Sequence, residues 1–395
     1  MNITSRIRAA MKTWLLRRAA KKLNSGKTIR HINRILDIAE RNSWKEEQYS
    51  SRNKSHDNSI EEFFREPTVN NFGNDDLFVI IYPSSEVAHM SNHVLHDLVS
   101  LLKYSKKPLV EIFDFAESSA EDTVLRILKS EVKNKSKIWF VTVLHTSDIF
   151  RKKIIQLKSS MFKNGILICV VNDLWRELDQ KLLMEMNRSV NIFIHMDPFG
   201  INVIDENIRK KMFFFPFAGL NQQLFYPSEK DLAIGFSGNV SSPYRRKILD
   251  EVLRKAKENE LKTKFQAFIY QNRKAIPRLE DYALAMNQLS YCLDLSRKSS
   301  THFLITGRSL ESFASGCLLI TDQPKGVGPL SIFFEPDTHY LAFGSIDELN
   351  TRIKELVKDQ QYIESTRRLG HIRFMEVFGQ NRLSLKFLEI LGKFK

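Results

Sequence analysis

Cysteine, long apolar runs and N-terminal acidic residues are the features that this chain of 395 residues has least of. Its three cysteines, Cys169, Cys292 and Cys317, all lie in apolar runs. A disulfide framework and a cysteine-based metal site are therefore excluded, and we expect buried thiols in a reducing compartment. No apolar run reaches the roughly 18 residues that span a membrane. The charged N-terminus lacks the apolar core of a secretory signal, so we expect a cytoplasmic protein.

Residues 1–36 contain no acidic residue and ten basic ones, which account for most of the formal net charge of +14. An apolar stripe over 3–24 predicts a basic amphipathic helix, and its members are Ile7, Ala10, Met11, Trp14 and Leu15. Such a helix suits the anionic inner face of a membrane. Two alternatives stay open: a helical hairpin with residues 29–42 that packs on the body of the protein, and nucleic-acid binding. The last is the least favoured because no recognition motif occurs.

From residue 76 onward, strand and helix patterns alternate, which is typical of an α/β fold with parallel sheets. Residues 43–70 lack periodicity and are interpreted as a linker or loose loop. The first series predicts strands at 77–82, 109–115, 138–144, 166–172, 190–196 and 212–217, with helices at 91–104, 120–133, 148–162 and 174–187. After a linker at 221–231, the second series predicts strands at 232–237, 263–270, 291–295, 317–321 and 339–343. Its helices are predicted at 243–259, 277–289, 303–315, 346–358, 360–377 and 380–393.

No P-loop or Rossmann glycine fingerprint occurs, but Gly238 and Asn239 end a predicted strand just before a helix that starts near Pro243. A glycine at a strand end lets a phosphate approach the backbone, and the following helix N-terminus favours anions. The alternative is a plain strand-to-helix turn. Arg245 and Arg246 follow in the first turns, where either a phosphate contact or a solvated surface is possible.

The segment 307–322 contains a predicted helix with Arg308 and Glu311, a glycine at 316 and a buried strand. Residues three apart share one helix face, and we expect that face to be exposed. A guanidinium suits a diphosphate and a carboxylate suits ribose hydroxyls, which together make a nucleotide sugar. The alternative is a surface ion pair. Gly316 is expected to end the helix in a left-handed conformation.

This segment resembles the "GR-x-x-E-x-x-A-x-G … T-D" segment of CgeB-like glycosyltransferases, the spore-maturation-protein branch of the group 1 transferases with the GT-B fold. Matching residues are Gly307, Arg308, Glu311, Ala314, Gly316, Thr321 and Asp322. Residues 334–337 resemble the family's "F-E-P-G" turn, 345–349 its next helix start, and 236–239 with Arg245 and Arg246 the opening of its donor-binding domain. The resemblance covers 210–380 in order and spacing, 71–210 only in general pattern, and 1–70 not at all.

The resemblance implies two Rossmann-like domains with the GT-B arrangement, a basic helical N-terminal extension and C-terminal helices. We assign 1–70 to the extension and linker, 71–225 to an acceptor domain, 226–378 to a nucleotide-sugar donor domain and 379–395 to a C-terminal helix. Arg308, next to Gly307, would neutralise the departing diphosphate. Glu311 would bind the donor ribose and Glu335 the sugar or ribose, while Gly238, Asn239 and Arg246 would complete the donor site.

Two residues depart from the family pattern. Group 1 transferases often have two glutamates eight apart, and Phe303 stands eight residues before Glu311. Half of that pair is therefore missing, and no role for its carboxylate can be transferred. Asp337 replaces the usual glycine of the "F-E-P-G" turn.

A general base, which an inverting enzyme needs, is expected at the strand ends of the acceptor domain. Asp173 and His145 are the candidates, and a capping or packing role is the alternative for each. A retaining enzyme needs no such base. No aspartate pair or ligand cluster with metal spacing occurs, so neither a metal nor a cofactor is predicted.

The predicted function is therefore transfer of a sugar from a nucleotide-diphosphate donor to a glycan, lipid-linked or other acceptor. The expected partners are a nucleotide sugar, that acceptor and an anionic membrane surface bound through residues 1–36. The alternative is a non-catalytic binding or scaffold protein that has kept the fold, which Phe303 in place of the paired glutamate supports.

Overall fold

The fold was analysed in a computed structural model. It describes residues 58–68, 76–83, 90–113, 115, 137–144, 147–158, 165–171, 177–197, 204–216, 221–240, 242–268, 279–297, 303–326 and 328–394. The helices predicted at 3–24, 29–42 and 120–133 lie outside these ranges.

The first sheet has six parallel strands in the order β2-β1-β3-β4-β5-β6. They are β1 Asp76–Ile81, β2 Leu109–Ile112, β3 Lys137–Val143, β4 Ile166–Val171, β5 Ile192–His195 and β6 Met212–Phe214. The associated helices are α1 Asn58–Phe64, α2 Met90–Tyr104, α3 Asp148–Gln156, α4 Glu177–Met186 and α5 Glu206–Arg209. The central strands are continuous Val, Ile, Leu and Phe runs because helices cover both faces of a parallel sheet.

The second sheet has five parallel strands in the order β11-β10-β9-β7-β8. They are β7 Asp231–Asn239, β8 Lys262–Phe268, β9 Leu289–Asp294, β10 Leu318–Thr321 and β11 Leu341–Ala342. The helices are α6 Pro243–Glu258, α7 Leu279–Gln288, α8 Gly307–Ala314, α9 Ile346–Lys358, α10 Gln360–Phe378 and α11 Gln380–Gly392, with a 3₁₀ turn at Pro329–Ile332. The two sheets confirm the predicted α/β fold class.

Most predicted elements within the described ranges agree with the structure to within a few residues, and the difference at α8 has a local cause. The helix predicted from 303 begins at Gly307, because the side chain of Thr306 caps it by accepting a hydrogen bond from the backbone of Ser309 at 3.2 Å. Gly316 ends this region with φ +64°, which confirms the predicted left-handed glycine.

The prediction of a loose loop over 43–70 is wrong for helix α1. Ile60 and Phe63, three residues apart, are both buried, so this short helix has an apolar face that a seven-residue element is too short to reveal by periodicity. Phe63 packs edge-on against Phe214 of β6 at 5.6 Å and against Phe333 at 6.0 Å, with ring centroids as the reference points. Helix α1 therefore contacts both halves of the body.

The C-terminal helix α11 also joins the two halves. It packs against α2 of the first half, and Gln380 Nε2 donates to Ser100 Oγ at 3.0 Å. Arg382 donates to Glu66 at 2.8 Å and to the carbonyl of Phe64 at 2.9 Å, which satisfies the C-terminal end of α1. One hydrophobic cluster accordingly contains residues from both sheets.

Candidate functional site

The candidate site lies where β7 and β9 end in the second sheet. These strands are neighbours, but β7 connects to β8 on one side and β9 to β10 on the other, so the chain changes direction between them. Ligands of open α/β sheets bind at the carboxyl ends of the strands at such a switch point. We call the group formed by Gly238, Asp294, Arg308 and Glu311 the strand-end site.

Arg308 is buried, although the sequence led us to expect an exposed helix face. Its side chain is 7% exposed, and Nη1 donates to Oδ1 of Asp294 at 2.7 Å. The guanidinium lies over the ring of Phe236, 4.9 Å from its centroid. Burial lowers the pKa of Arg308, but the neighbouring acidic groups, of which Asp294 contributes most, together more than offset this and raise the pKa above its ordinary value, so the guanidinium stays charged. The predicted alternative of a surface ion pair with Glu311 is wrong.

Gly238 lies directly against this guanidinium. A Cβ atom at position 238 would be 2.6 Å from Nη2 of Arg308, and the residue has φ +157°, which side chains rarely adopt. The position therefore requires glycine for the sake of Arg308 as well as for any ligand. Asn239 pairs with Phe268 in the parallel ladder at the end of β7. Gly307 is the first residue of α8.

Glu311 is buried in the same helix and bonds to a residue that sequence reasoning missed. Its Oε2 accepts a hydrogen bond from the hydroxyl of Tyr282 in α7 at 2.5 Å. Burial raises the pKa of Glu311 to about 7, although the hydrogen bond from Tyr282 and the charge of Arg308 act in the opposite direction. The carboxyl therefore changes charge near neutral pH.

Asp294 is the second residue that sequence reasoning missed. It is the last residue of β9 and is fully buried. Oδ1 accepts from Arg308, while Oδ2 accepts from Thr306 Oγ1 at 3.0 Å and from Ser309 Oγ at 2.5 Å. A carboxylate directly after an apolar strand was the available signal, because strand ends collect ligand-binding side chains.

Asp322 matches the family motif, but the resemblance implies no role for it. In the structure it binds the loop that follows β9. Its Oδ1 accepts from the backbone of Ser296 at 2.8 Å and from the backbone of Arg297 at 3.1 Å. Burial, followed by the charge of Asp294, raises the pKa of Asp322 to about 6. The carboxylate thus holds the chain just after β9.

Of the two arginines that start α6, Arg245 rather than Arg246 points towards the strand ends. Arg245 Nη2 donates to the carbonyl of Leu295, the residue after Asp294, at 2.8 Å. Arg246 is exposed. The geometry therefore favours Arg245 over the predicted Arg246 as a neighbour of the strand-end site.

Glu335 does not join the strand-end site through any bond within the described residues. It is exposed, and its backbone N–H donates to Nδ1 of His339 at 2.9 Å. The neighbouring Asp337 does adopt the conformation of the glycine that it replaces, with φ +64°. Its carboxylate pairs with Arg352 Nη2 at 2.5 Å and with Lys325.

Phe303 stands where group 1 transferases often have a glutamate, and its surroundings are cationic. The side chain is buried, and the guanidinium of Arg297 lies 5.8 Å from its ring centroid and 5.6 Å from that of Tyr244. An arginine held between two rings thus occupies the region next to the missing carboxylate.

The predicted general bases His145 and Asp173, with Asn172, lie outside the described residues. Of the strand-end residues in the first sheet, His195 is fully buried, and its Nδ1 lies 2.9 Å from the carbonyl oxygen of Asp197.

Neither metal-ligand clusters nor membrane-spanning helices occur in the described part of the chain. No group of three or more His, Cys, Asp or Glu side chains there has the geometry of a metal site. No described helix is both long and apolar enough to cross a membrane. The three cysteines are buried and free, as expected from the sequence.

Comparison with known protein families gives one match, which lies in the second half of the chain. The model of a family described as glycosyl transferase-like matches residues 245–379, which include α8 and the strand-end aspartates. No curated protein matches the sequence.

Two solved structures illustrate the likeness in fold. One is an alpha-glucosyltransferase in complex with UDP and a 13-mer DNA containing a HMU base (TM-score 0.57, 10% identity, covering 81% of this chain and 100% of that chain). The other is the DNA-modifying enzyme beta-glucosyltransferase, in the presence and absence of uridine diphosphoglucose (TM-score 0.50, 14% identity, 80% and 99%). This likeness confirms the predicted GT-B fold class, and the family match over residues 245–379 bears out the prediction of a glycosyltransferase.

Proposed function

We propose that the chain transfers a sugar from a nucleotide-diphosphate donor to a glycan or lipid-linked acceptor without a metal ion or cofactor, with the diphosphate bound at the strand-end site. The observation that carries this proposal is the buried guanidinium of Arg308. Its Nε has no hydrogen-bond partner among the described residues, although it is shielded from water. Leaving a buried donor unsatisfied costs about 1–3 kcal/mol, which a bound anion would remove.

The surroundings of Arg308 support an anionic ligand. Arg245 reaches the same strand ends, and Arg308 lies in the first turn of helix α8, whose N-terminus carries partial positive charge. Charge neutralisation of a departing diphosphate is the main electrostatic requirement of sugar transfer, and a positioned cation meets it without a metal. The family match over 245–379 and the UDP and uridine diphosphoglucose named for the two similar enzymes agree with a nucleotide-sugar donor.

The proposal assigns different roles to Glu311 and Glu335. Glu311 is buried three residues from Arg308, where its carboxyl can accept hydrogen bonds from the ribose hydroxyls of a donor held by its diphosphate. Glu335 contributes through its position after the 3₁₀ turn, where it would reach the sugar only from the solvent side. His145 and Asp173 remain the proposed bases of an inverting reaction.

More specifically, we propose that the protein is a CgeB-like transferase that acts in surface-polysaccharide synthesis. Residues 1–36 would hold it at the inner membrane face. The ten basic residues of that segment support binding to anionic lipid. Vesicles containing anionic phosphatidylserine should bind the full chain at low salt and release it at high salt, because salt screens the attraction. Binding that does not respond to salt would contradict this assignment.

A turnover assay tests the transfer reaction. The purified chain should release nucleoside diphosphate from its donor when acceptor is present, and EDTA should leave the rate unchanged. Arg308→Lys keeps a positive charge beside Asp294 but loses the planar fork, so we expect a loss on the order of 100-fold in kcat/KM. Arg352→Lys is the matched control, because Arg352 also pairs with carboxylates, those of Asp337 and Glu355, and neither belongs to the strand-end site.

The second candidate is a non-catalytic scaffold with the same fold, which the replacement of a family glutamate by Phe303 favours. A scaffold would bind glycan without releasing nucleotide. Full turnover in Arg308→Lys would refute the proposed donor site, while absence of turnover with every donor, in a folded protein, would favour the scaffold.

A further inference from the structure

Asp294 and the two hydroxyls that surround it form a support for Arg308. Thr306 and Ser309 both donate to Oδ2 of Asp294, at 3.0 and 2.5 Å, and leave Oδ1 for Nη1 of Arg308. All of these groups are buried or nearly so, and a buried carboxylate is stable only when such partners satisfy it. The direction of the Asp294 carboxylate is therefore fixed from one side by hydroxyls and from the other by the guanidinium.

The guanidinium itself is fixed on three sides. Asp294 holds Nη1, Phe236 lies below the plane with its centroid 4.9 Å away, and Gly238 lies against Nη2. Arginine has five N–H donors in a rigid fork. The single hydrogen-bonded partner of this fork within the described residues is Asp294, and the buried Nε has no acceptor there.

We infer that Asp294 is the positioning residue of the transfer reaction: it occupies one corner of the Arg308 fork and so holds the guanidinium in the place where its charge meets the donor diphosphate. This inference rests on the proposed function. A free guanidinium on a flexible side chain would lose rotamer entropy each time it bound a diphosphate. Arg308 has already lost this freedom in the folded protein, so its positive charge is in place before the leaving group develops its own charge.

The charge of Arg308 and the fixed position of its guanidinium contribute separately to the transfer reaction. Substitutions of the residues that hold Arg308 can distinguish the two contributions. Asp294→Asn keeps the shape of the side chain and one oxygen acceptor, but it removes the ionic bond that holds the fork. Ser309→Ala leaves the ionic bond and removes one of the hydroxyl supports of Asp294. If the role is positioning, both variants should impair the same step, with Ser309→Ala the milder one.

The experiment measures turnover of the donor together with binding of inorganic pyrophosphate, which carries the diphosphate of the candidate donors without a base. We expect Asp294→Asn to lower kcat/KM and pyrophosphate affinity by on the order of 10-fold or more, and Ser309→Ala to lower both by about 3-fold. Unfolding temperatures recorded for each variant identify those that are merely unstable.

Two matched controls share the burial of these residues but bond neither to the guanidinium of Arg308 nor to the carboxylate of Asp294. Ser312→Ala changes another fully buried serine of α8, which donates to the backbone carbonyl of Arg308 at 2.6 Å. Asp322→Asn changes the buried carboxylate at the end of β10, which bonds to Ser296 and Arg297. Both should keep the pyrophosphate affinity of the wild type even where they lower stability.

Three outcomes overturn the inference. Wild-type kinetics and pyrophosphate binding in Asp294→Asn would overturn it and leave the proposed donor site intact, provided that Arg308→Lys is inactive. Equal losses in Asp294→Asn and Asp322→Asn would reduce the effect to the cost of any buried aspartate. Absence of both turnover and pyrophosphate binding in the wild type would overturn the proposed function and this inference together.

Discussion

Tyr282 donates its phenolic hydrogen to Oε2 of Glu311 across 2.5 Å, although the two residues are 29 positions apart and lie on different helices. Both side chains are buried. The hydrogen bond orients the carboxyl, and within the described residues Oε2 is the only oxygen of this carboxyl that accepts one. The other oxygen is the one with which a ribose hydroxyl could bond.

Replacing Glu311 by Gln should make the protein less sensitive to pH. The folded-state pKa of Glu311, about 7, lies above its ordinary value of 4.5. Between these two values the folded wild type keeps a proton that the unfolded chain has lost. The stability that this proton contributes therefore decreases as pH rises from about 4.5 through about 7. The unfolding temperature of Glu311→Gln minus that of the wild type should rise over this window and then level off. A difference that does not depend on pH would contradict burial of an ionisable Glu311.

Replacing Tyr282 by Phe should extend that pH window at its upper end. The hydrogen bond from Tyr282 stabilises the carboxylate and lowers the pKa of Glu311, so its loss should raise this pKa further. The stability of Tyr282→Phe should therefore begin to decline at the same pH as that of the wild type but continue to decline to a higher pH. An unchanged window would mean that Tyr282 does not bond to Glu311 in solution.

Replacing Gly238 by Ala should strongly weaken donor binding while the protein still folds. The added Cβ would lie 2.6 Å from Nη2 of Arg308, so the guanidinium must move, and a displacement of about 1 Å can cost on the order of 100-fold in rate. Gly344→Ala is the matched control, since the nearest atom to its added Cβ is 3.5 Å away. Titration calorimetry with the donor should separate the two variants, and equal affinities would contradict this packing.

At Asp337, glycine should be tolerated better than alanine. Both substitutions remove the ion pairs with Arg352 and Lys325, but only glycine relieves the left-handed backbone at φ +64°. We expect Asp337→Gly to be about 1 kcal/mol more stable than Asp337→Ala in urea unfolding. Equal stability of the two variants would mean that the turn relaxes to another conformation.

Replacing Phe63 by Ala should destabilise the body far more than replacing Phe64. Phe63 is 3% exposed and contacts the rings of Phe214 and Phe333, so its loss should cost about 3–5 kcal/mol. Phe64 is 36% exposed, and its truncation should cost much less. Urea unfolding measures both, and a small loss for Phe63→Ala would show that α1 does not join the two halves.

The sequence predicts helices and strands well where their hydrophobic period and their length are clear. Strand β4 is an uninterrupted apolar run, and α9 combines an apolar stripe with Ser345 as its cap, so both lie close to their predicted bounds. Helix α1 was missed because two buried residues in seven do not make a recognisable period. Short elements that depend on tertiary packing are not visible in local pattern.

Some residues of the strand-end site could not be predicted from the sequence, for a related reason. Arg308 and Glu311 are visible because they share a motif and a helix. Their partners Asp294 and Tyr282 lie in other elements, and only the parallel order of β7, β9 and β10 brings them together. Burial of the whole of α8 is likewise a tertiary effect, because its polar residues favour an exposed face when the sequence is considered alone.

The most direct test of a donor site built around Arg308 is a thermal-shift panel of UDP-, GDP-, ADP-, TDP- and CMP-sugars on the full chain. A donor at a hundred times its dissociation constant should add about 2.7 kcal/mol of stability. We predict that one nucleotide class stabilises the wild type and Arg352→Lys but not Arg308→Lys. A shift that persists in Arg308→Lys, or no shift with any donor in a folded sample, would contradict the account.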